Sequence, residues 1–461
     1  MNTELYKDID KFIEENYDEI FKNIGRLIAV DSVRTEPKPG MPFGEGCDKA
    51  KNVAMEICKE LGLETRDCEG MLCYASVGGD GDKYLATITH LDVVPVGEGW
   101  TSDPFEMVDK EGYIIGRGVL DDKGPSMLCL YALKYLKDRG VELKYPVRAL
   151  LGLAEETGME DVEHYLKNYP APLFCFSPDA NFPLCNGEKG IYHGRMVSKL
   201  PLGNNIVNIK GGVATNVIPS KCEAWVKASE LKSTDKVDAV MEAGVWHLTA
   251  HGIGGHASLP EGTENAIGVM ANYILENNIA DENEKRFLSI VSKLNESWKG
   301  EGVGCAAPAD GKFDYLTIVG GVIGIEDGRF FQSLDSRYPT TTSAERIVAA
   351  IEAVDPGAVS ISIDTNEPPF YMELDNPGVQ ACLSSYNEVT GENAQPYTIG
   401  GGTYARQFPN AVSFGPEHPE REQPAFVGPM HGADEGANKA WLIEALKVYI
   451  LTLLKLEQID F

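Results

Sequence analysis

Apolar residues recur at helical spacing through the first stretch of the chain. Leu5, Ile9, Phe12, Ile13, Tyr17, Ile20, Phe21, Ile24, Leu27 and Ile28 fall on one stripe of a 3.6-residue period, which predicts a helix over residues 4–29 with one buried face. A Pro/Gly-rich loop, TEPKPGMPFGEG, follows, then a second helix over about 47–62. From there strands and helices alternate: YLATITHL is a buried strand, Pro125 to Lys137 a helix, YPVRALLGLA a strand, MEDVEHYLKNY a helix and PLFCFSP a strand. Such alternation predicts an α/β fold with mainly parallel strands.

The texture changes near residue 188. YHGRMVSK, KCEAWVKAS, EAGVWHLTAHG, DYLTIVGGVIGIEDG and RFFQSLDSRY read as strands, with NAIGVMANYILENN and TSAERIVAAIEAV the clearest helices. This predicts an α+β unit, ferredoxin-like in kind. At roughly 190 residues it exceeds one such unit, so it is enlarged or doubled. After about residue 376 a helix at NPGVQACLSSYNEVTG, a glycine loop and a last helix at ANKAWLIEALKVYILTLLKLE restore α/β character. The organisation predicted is an α/β domain made of residues 1–187 and 376–461, interrupted by an inserted α+β domain over 188–375.

Composition narrows the partners. The 461 residues allow roughly two to three domains, and 43% apolar content is that of a globular protein. With 41 basic against 70 acidic residues the net charge is -29, a surface that repels phosphate backbones and anionic lipid, so neither nucleic acid nor membrane is expected as a partner. Ten cysteines are scattered without a CxxC pair; Cys129, Cys175 and Cys222 lie in apolar runs and read as small buried hydrophobes rather than as a disulfide framework. The charged N-terminus lacks the apolar core of a signal peptide, and nothing approaches the ~18 apolar residues of a membrane span. A cytoplasmic location is the expectation.

The candidate chemistry lies just after the apolar runs: His90 in TITHLDVV, Asp121 in GRGVLDDKGP, Glu155 and Glu156 in LLGLAEETG, Asp179 in FCFSPDA and His431 in GPMHGADEG. In open α/β sheets ligands bind beyond the carboxyl ends of the strands, where His90, Glu155, Glu156 and Asp179 stand. Two imidazoles, three carboxylates and one spare carboxylate suit two divalent cations sharing a water, with one acid left as a general base. Taken singly each residue has a plainer reading. His90 with Asp92 is a strand-end histidine beside a solvated acid, although Asp92 could equally orient the ring. Asp121 is a turn residue, with Asp122 a helix cap or solvated neighbour. By spacing alone His431 cannot be told from a surface histidine. His256, in GIGGHASLPEG, is a loop residue beside a helix start capped by Ser258, and Arg337, in LDSRYPTT, is half of a strand-end ion pair.

Taken together, THLDVVPVGEGW, GRGVLDDKG, AEETG, SPDA and MHGADE resemble metallopeptidase family M20 in order and spacing over nearly the whole chain. The length, the large insert and ATNVIPS, GGHAS and GGGTYAR are similar to its PepV-like branch of Xaa-His and β-Ala-Xaa dipeptidases. The resemblance implies a zinc-peptidase-like catalytic domain with an inserted lid, and two divalent metal ions, Zn2+ with Mn2+ or Co2+ as alternatives. It implies His90 and Asp179 on one metal, Glu156 and His431 on the other, Asp121 bridging, Glu155 as general base and Asp92 behind His90. His256 would bind the oxyanion, and Arg337, Asn216 and the loop around Gly401 would contact substrate, Arg337 at its C-terminal carboxylate. HGADE departs from the HTPDE-type surroundings of the late histidine in many relatives. The activity implied is dipeptide hydrolysis by a monomer whose partner is a small peptide substrate. Deacylation of N-acyl amino acids, or non-catalytic binding of a small ligand on the same scaffold, are the alternatives.

Overall fold

The computed structural model describes residues 3–461, which divide into two compact units. The first comprises the chain up to Asn186 with Met372–Tyr397 and Thr403–Phe461; the second comprises Gly187–Tyr371 with Thr398–Gly402. The short glycine-rich stretch Thr398–Gly402, placed by the sequence reading in the α/β domain, therefore groups with the second unit.

In the first unit a sheet runs Glu64–Cys68, Leu72–Val77, Val147–Gly152, Leu85–His90, Phe174–Ser177, Ala411–Ser413 and Cys185–Glu188. The four central strands, from Val147–Gly152 to Ala411–Ser413, are parallel. Antiparallel strands extend both edges. The helix Lys123–Asp138 lies on Leu85–His90 and Val147–Gly152 and is buried nearly all round, because the helices Thr3–Ile28 and Lys439–Leu456 cover its outer side. On the other face Ala86, Ile88 and Leu150 form a core with Val162 and Tyr165 of the helix Glu160–Asn168 and with Tyr404 and Phe408. Thr3–Ile28 buries Ile9, Phe12, Ile13, Ile20, Phe21, Ile24, Leu27 and Ile28, all on the predicted stripe. A small antiparallel sheet joins Val108–Lys110, Tyr113–Ile115 and Gly436–Asn438, so that chain segments more than three hundred residues apart become neighbours.

The second unit is built on one antiparallel sheet in the order Val237–Glu242, Val245–His251, Lys221–Val226, Ile206–Gly211, Thr317–Glu326, Arg329–Tyr338, Gly190–Ser198 and Val359–Ile361, with Thr365–Glu367 also paired to Gly190–Ser198. The helices Ala266–Glu276, Glu282–Leu294 and Ala344–Val354 supply Ile267, Met270, Phe287, Val291, Ile347 and Ile351 to its core. Glu282–Leu294 is an addition to the elements read from sequence. Two local readings are corrected. No helix starts at Ser258; the next begins at Ala266 and is capped by Asn265, whose side chain accepts from the Ile267 N–H. Asp122 is neither a side-chain cap nor solvated: it is fully buried and accepts from the His90 N–H at 3.1 Å.

All ten cysteines are buried. Among the described residues no helix is long and apolar enough to cross a membrane.

Candidate metal centre and active site

Three adjacent parallel strands end together in the first unit, and each delivers part of the site. Leu85–His90 ends on His90 itself; Val147–Gly152 runs into the 3-10 turn Glu155–Thr157, and Phe174–Ser177 stops two residues before Asp179. The parallel register thus does locally what the sequence could only suggest. Asp121 and His431 reach the same place by another route. The strands Tyr113–Ile115 and Gly436–Asn438 pair through Ile115 and Gly436, which sets the turn ahead of Asp121 beside the loop that carries His431.

Asp121 lies between the two imidazoles. Its Oδ1 is 2.8 Å from His90 Nε2 and its Oδ2 is 2.6 Å from His431 Nε2. Asp179 Oδ2 is 3.9 Å from His90 Nε2, and Glu156 Oε1 is 3.3 Å from His431 Nε2. Ligand atoms of His90, Asp121 and Glu156 lie within 4.8 Å of one another, as do those of His90, Glu155 and Asp179. His90 Nε2 and Glu156 Oε1 are buried yet make no well-directed hydrogen bond, despite the closeness of Asp121 to the former. Buried donors that converge on a point without bonding each other suit a metal ion, and mixed imidazole and carboxylate donors suit a divalent one.

The electrostatics agree. Burial, then the charge of Asp179, pushes the Glu155 carboxyl well above its ordinary range; burial, then Asp121, does the same to Asp179. Burial also works upward on Asp121, but the imidazoles of His431 and His90 outweigh it and hold that carboxyl far below the usual range. The closeness of Asp121 and Glu156 to its Nε2 raises the His431 imidazole to about 11. Four crowded carboxylates, two of them pushed towards the protonated form, draw positive charge.

Asp92 and a set of buried groups fix these side chains. Asp92 takes the backbone N–H groups of Glu155 and Glu156 on its two oxygens, each at 3.2 Å, while its backbone carbonyl and Oδ1 lie 2.9 and 3.4 Å from His90 Nδ1. One acid therefore orients the ring and shapes the acidic turn. Asp161 accepts from the N–H groups of Leu153 and Ala154 and from the Tyr404 hydroxyl, anchoring that turn from behind. Glu435 accepts from the N–H groups of Gly118, Leu120 and Asp121 and pairs with Arg117, which donates to the carbonyls of His431 and Gly432. His431 has φ 62, a left-handed conformation that costs a non-glycine residue about 1 kcal/mol, and the Arg117–Glu435 clamp holds the backbone there. Sequence reasoning did not single out Arg117, Glu435, Tyr404 or Asp161. The first three stand inside the quoted motifs GRGVLDD, HGADE and GGGTYAR; Asp161 is one acid among several on a helix, with nothing to mark it.

The remaining predicted residues belong to the second unit. His256 pairs with Val217 across two short strands, and the Asn216 amide lies 3.5 Å from its Nε2. The Ser258 N–H donates to His256 Nδ1 at 3.2 Å, which favours the tautomer with its proton on Nε2. Arg337 is buried and donates through Nε and Nη2 to Asp335, each at 2.9 Å, and through Nη1 to the Gly400 carbonyl at 3.1 Å. The loop around Gly401 thus presents a carbonyl to Arg337.

Residues 86–455 match peptidase family M20/M25/M40. "Putative dipeptidase YtjP" of Bacillus subtilis is 30% identical over 464 residues, covering 95% of this chain and 97% of that protein. Human carnosine dipeptidase 1 superposes with a TM-score of 0.62 at 16% identity over 99% of both chains. YXEP of Bacillus subtilis, described as a dinuclear metal binding peptidase of the same family, superposes with a TM-score of 0.51 at 13% identity, covering 97% of this chain and all of that one. A match of this extent, with a likeness spread over nearly the full length, makes the chain a member of peptidase family M20/M25/M40.

Proposed function

We propose that this chain hydrolyses dipeptides at a centre of two divalent metal ions. The observation that carries the reading is Asp121, whose two oxygens face two different imidazoles at 2.8 and 2.6 Å, each imidazole having a further carboxylate of its own. His90 and Asp179 would hold one cation, His431 and Glu156 the other, and Asp121 both. The names of YtjP and carnosine dipeptidase 1 support a dipeptide substrate, and the description of YXEP supports two metals. Mixed nitrogen and oxygen donors suit zinc, with manganese or cobalt able to fill the same site.

Two such ions would supply Lewis-acid activation of the peptide carbonyl and of the attacking water. Glu155, placed beside His90 and Asp179, would take the proton of the attacking water and return it to the leaving amine. Asp92 keeps the His90 ring and the Glu155 turn in place during both transfers. His256, with its proton on Nε2, donates to the oxyanion, Asn216 lies beside it, and Arg337 takes the substrate's terminal carboxylate, which favours short peptides with a free C-terminus.

The test is to strip the protein with chelator and assay Ala- and β-Ala-dipeptides with and without Zn2+ or Mn2+. Cleavage lost on stripping and restored by one cation is the expected result. Turnover of N-acyl amino acids with dipeptides untouched would replace this reading by deacylation.

A further inference from the structure

Arg337 does not stand alone on its sheet. Asp335 and Arg337 are two residues apart on the strand Arg329–Tyr338 and share a face; His193, on Gly190–Ser198, is the direct cross-strand partner of Asp335. Asp335 is fully buried and both its oxygens are taken. Oδ1 accepts from Arg337 Nε at 2.9 Å, while Oδ2 accepts from Arg337 Nη2 at 2.9 Å and from His193 Nε2 at 2.8 Å. His193 is about one-third exposed, at 32% of its side chain, so this row of groups runs from solvent to a buried guanidinium.

A guanidinium has five N–H groups in a rigid fork. Asp335 takes two and the Gly400 carbonyl takes one. That leaves one N–H on each terminal nitrogen, the pair a carboxylate accepts in bidentate fashion. A neutralising ion pair would need only one contact. Clamping the guanidinium on the Nε side and on Nη1 also fixes its orientation, so its rotamer entropy is lost on folding rather than on binding.

We propose that His193 and Asp335 are positioning residues that aim Arg337 at the terminal carboxylate of the substrate, and so set the preference for peptides with a free C-terminus. This rests on the reading of Arg337 as the carboxylate anchor. Asp335 holds the guanidinium, and His193 holds Asp335 from the solvent side.

The experiment compares kcat/KM for Ala-Ala and for Ala-Ala amide in the metal-loaded enzyme and its variants. Arg337→Ala lowers the acid-to-amide preference about 100-fold, and Asp335→Asn lowers it about 10-fold, through KM and with kcat for Ala-Ala within about threefold, as loss of charge-assisted hydrogen bonds predicts. His193→Ala lowers the preference about threefold and His193→Gln, which keeps a donor, restores it. If Arg337→Ala affects acid and amide alike, the anchor reading fails and the proposal falls with it. If Arg337→Ala discriminates while a folded Asp335→Asn affects both substrates equally or neither, the proposal alone is overturned. Should Asp335→Asn fail to fold by circular dichroism, His193→Ala decides on the same criterion.

Discussion

Glu155 and Glu156 are neighbours in sequence with different surroundings. Glu156 Oε1 approaches His431, whereas Glu155 groups with His90 and Asp179 and is pushed towards the protonated form. The 3-10 turn splays them, and Asp92 fixes that turn by accepting both of their N–H groups. Replacing Glu155 by Gln removes the proposed proton carrier while keeping shape. Metal content, measured by elemental analysis, should stay at the wild-type value while kcat falls about 10²- to 10⁴-fold, the usual worth of a general base; turnover at the wild-type rate would exclude Glu155 from that role. At this scale His90, Glu155, Glu156 and Asp179 were legible as candidates because each follows an apolar run, and a strand end is where a parallel sheet presents a side chain; Asp121 and His431 stood out only through their motifs. The clamp of Arg117 and Glu435 was not. Its worth depends on a pairing across more than three hundred residues, and in sequence a buried arginine looks like any other.

The elements show how tightly the Asp121 turn is bound to the helix that follows it. Gly124 opens the helix Lys123–Asp138, its N–H donates to the Gly118 carbonyl, and a Cβ placed on it would come within 2.0 Å of the Val119 carbonyl oxygen. Gly124→Ala must therefore push the segment from Gly118 to Asp122 outward, carrying Asp121 off its position between two imidazoles. The expected result is a loss of about 1–3 kcal/mol in stability from overpacking, read by denaturant unfolding, together with weaker metal retention in equilibrium dialysis; unchanged metal binding would show that the turn yields elsewhere. The element overlooked in sequence is instructive too. Glu282–Leu294 carries Phe287, Leu288, Ile290, Val291 and Leu294 on its buried side and begins with a full capping box between Asp281 and Glu284. That signal was present in sequence, but the adjacent helix Ala266–Glu276, more apolar, dominates the region. The strand Ile206–Gly211 was harder, because a register shift between Ile206 and Asn208 breaks its alternation.

For the whole molecule, the alternation of strands and helices predicted an α/β portion and the change near residue 188 predicted a second kind of fold. Strand order and register were beyond reach, since they depend on pairings such as Ala411 with Cys175 that no local pattern encodes. Metal binding bears on this scale as well. A ligand that binds only the folded state at a hundred times its dissociation constant adds about 2.7 kcal/mol, and here it would also relieve repulsion among Asp121, Glu155, Glu156 and Asp179. The buried thiols turn that into a readable clock. With every sulfhydryl enclosed, an alkylating reagent modifies the chain only when it breathes, and the sites divide unequally: Cys222 and Cys305 lie in the second unit and the other eight in the first. Adding chelator should hasten alkylation of the eight more than of the two, as peptide mass mapping would record, and equal acceleration would mean that the two units open as one. The protein thus carries its own set of internal timers, one for each half.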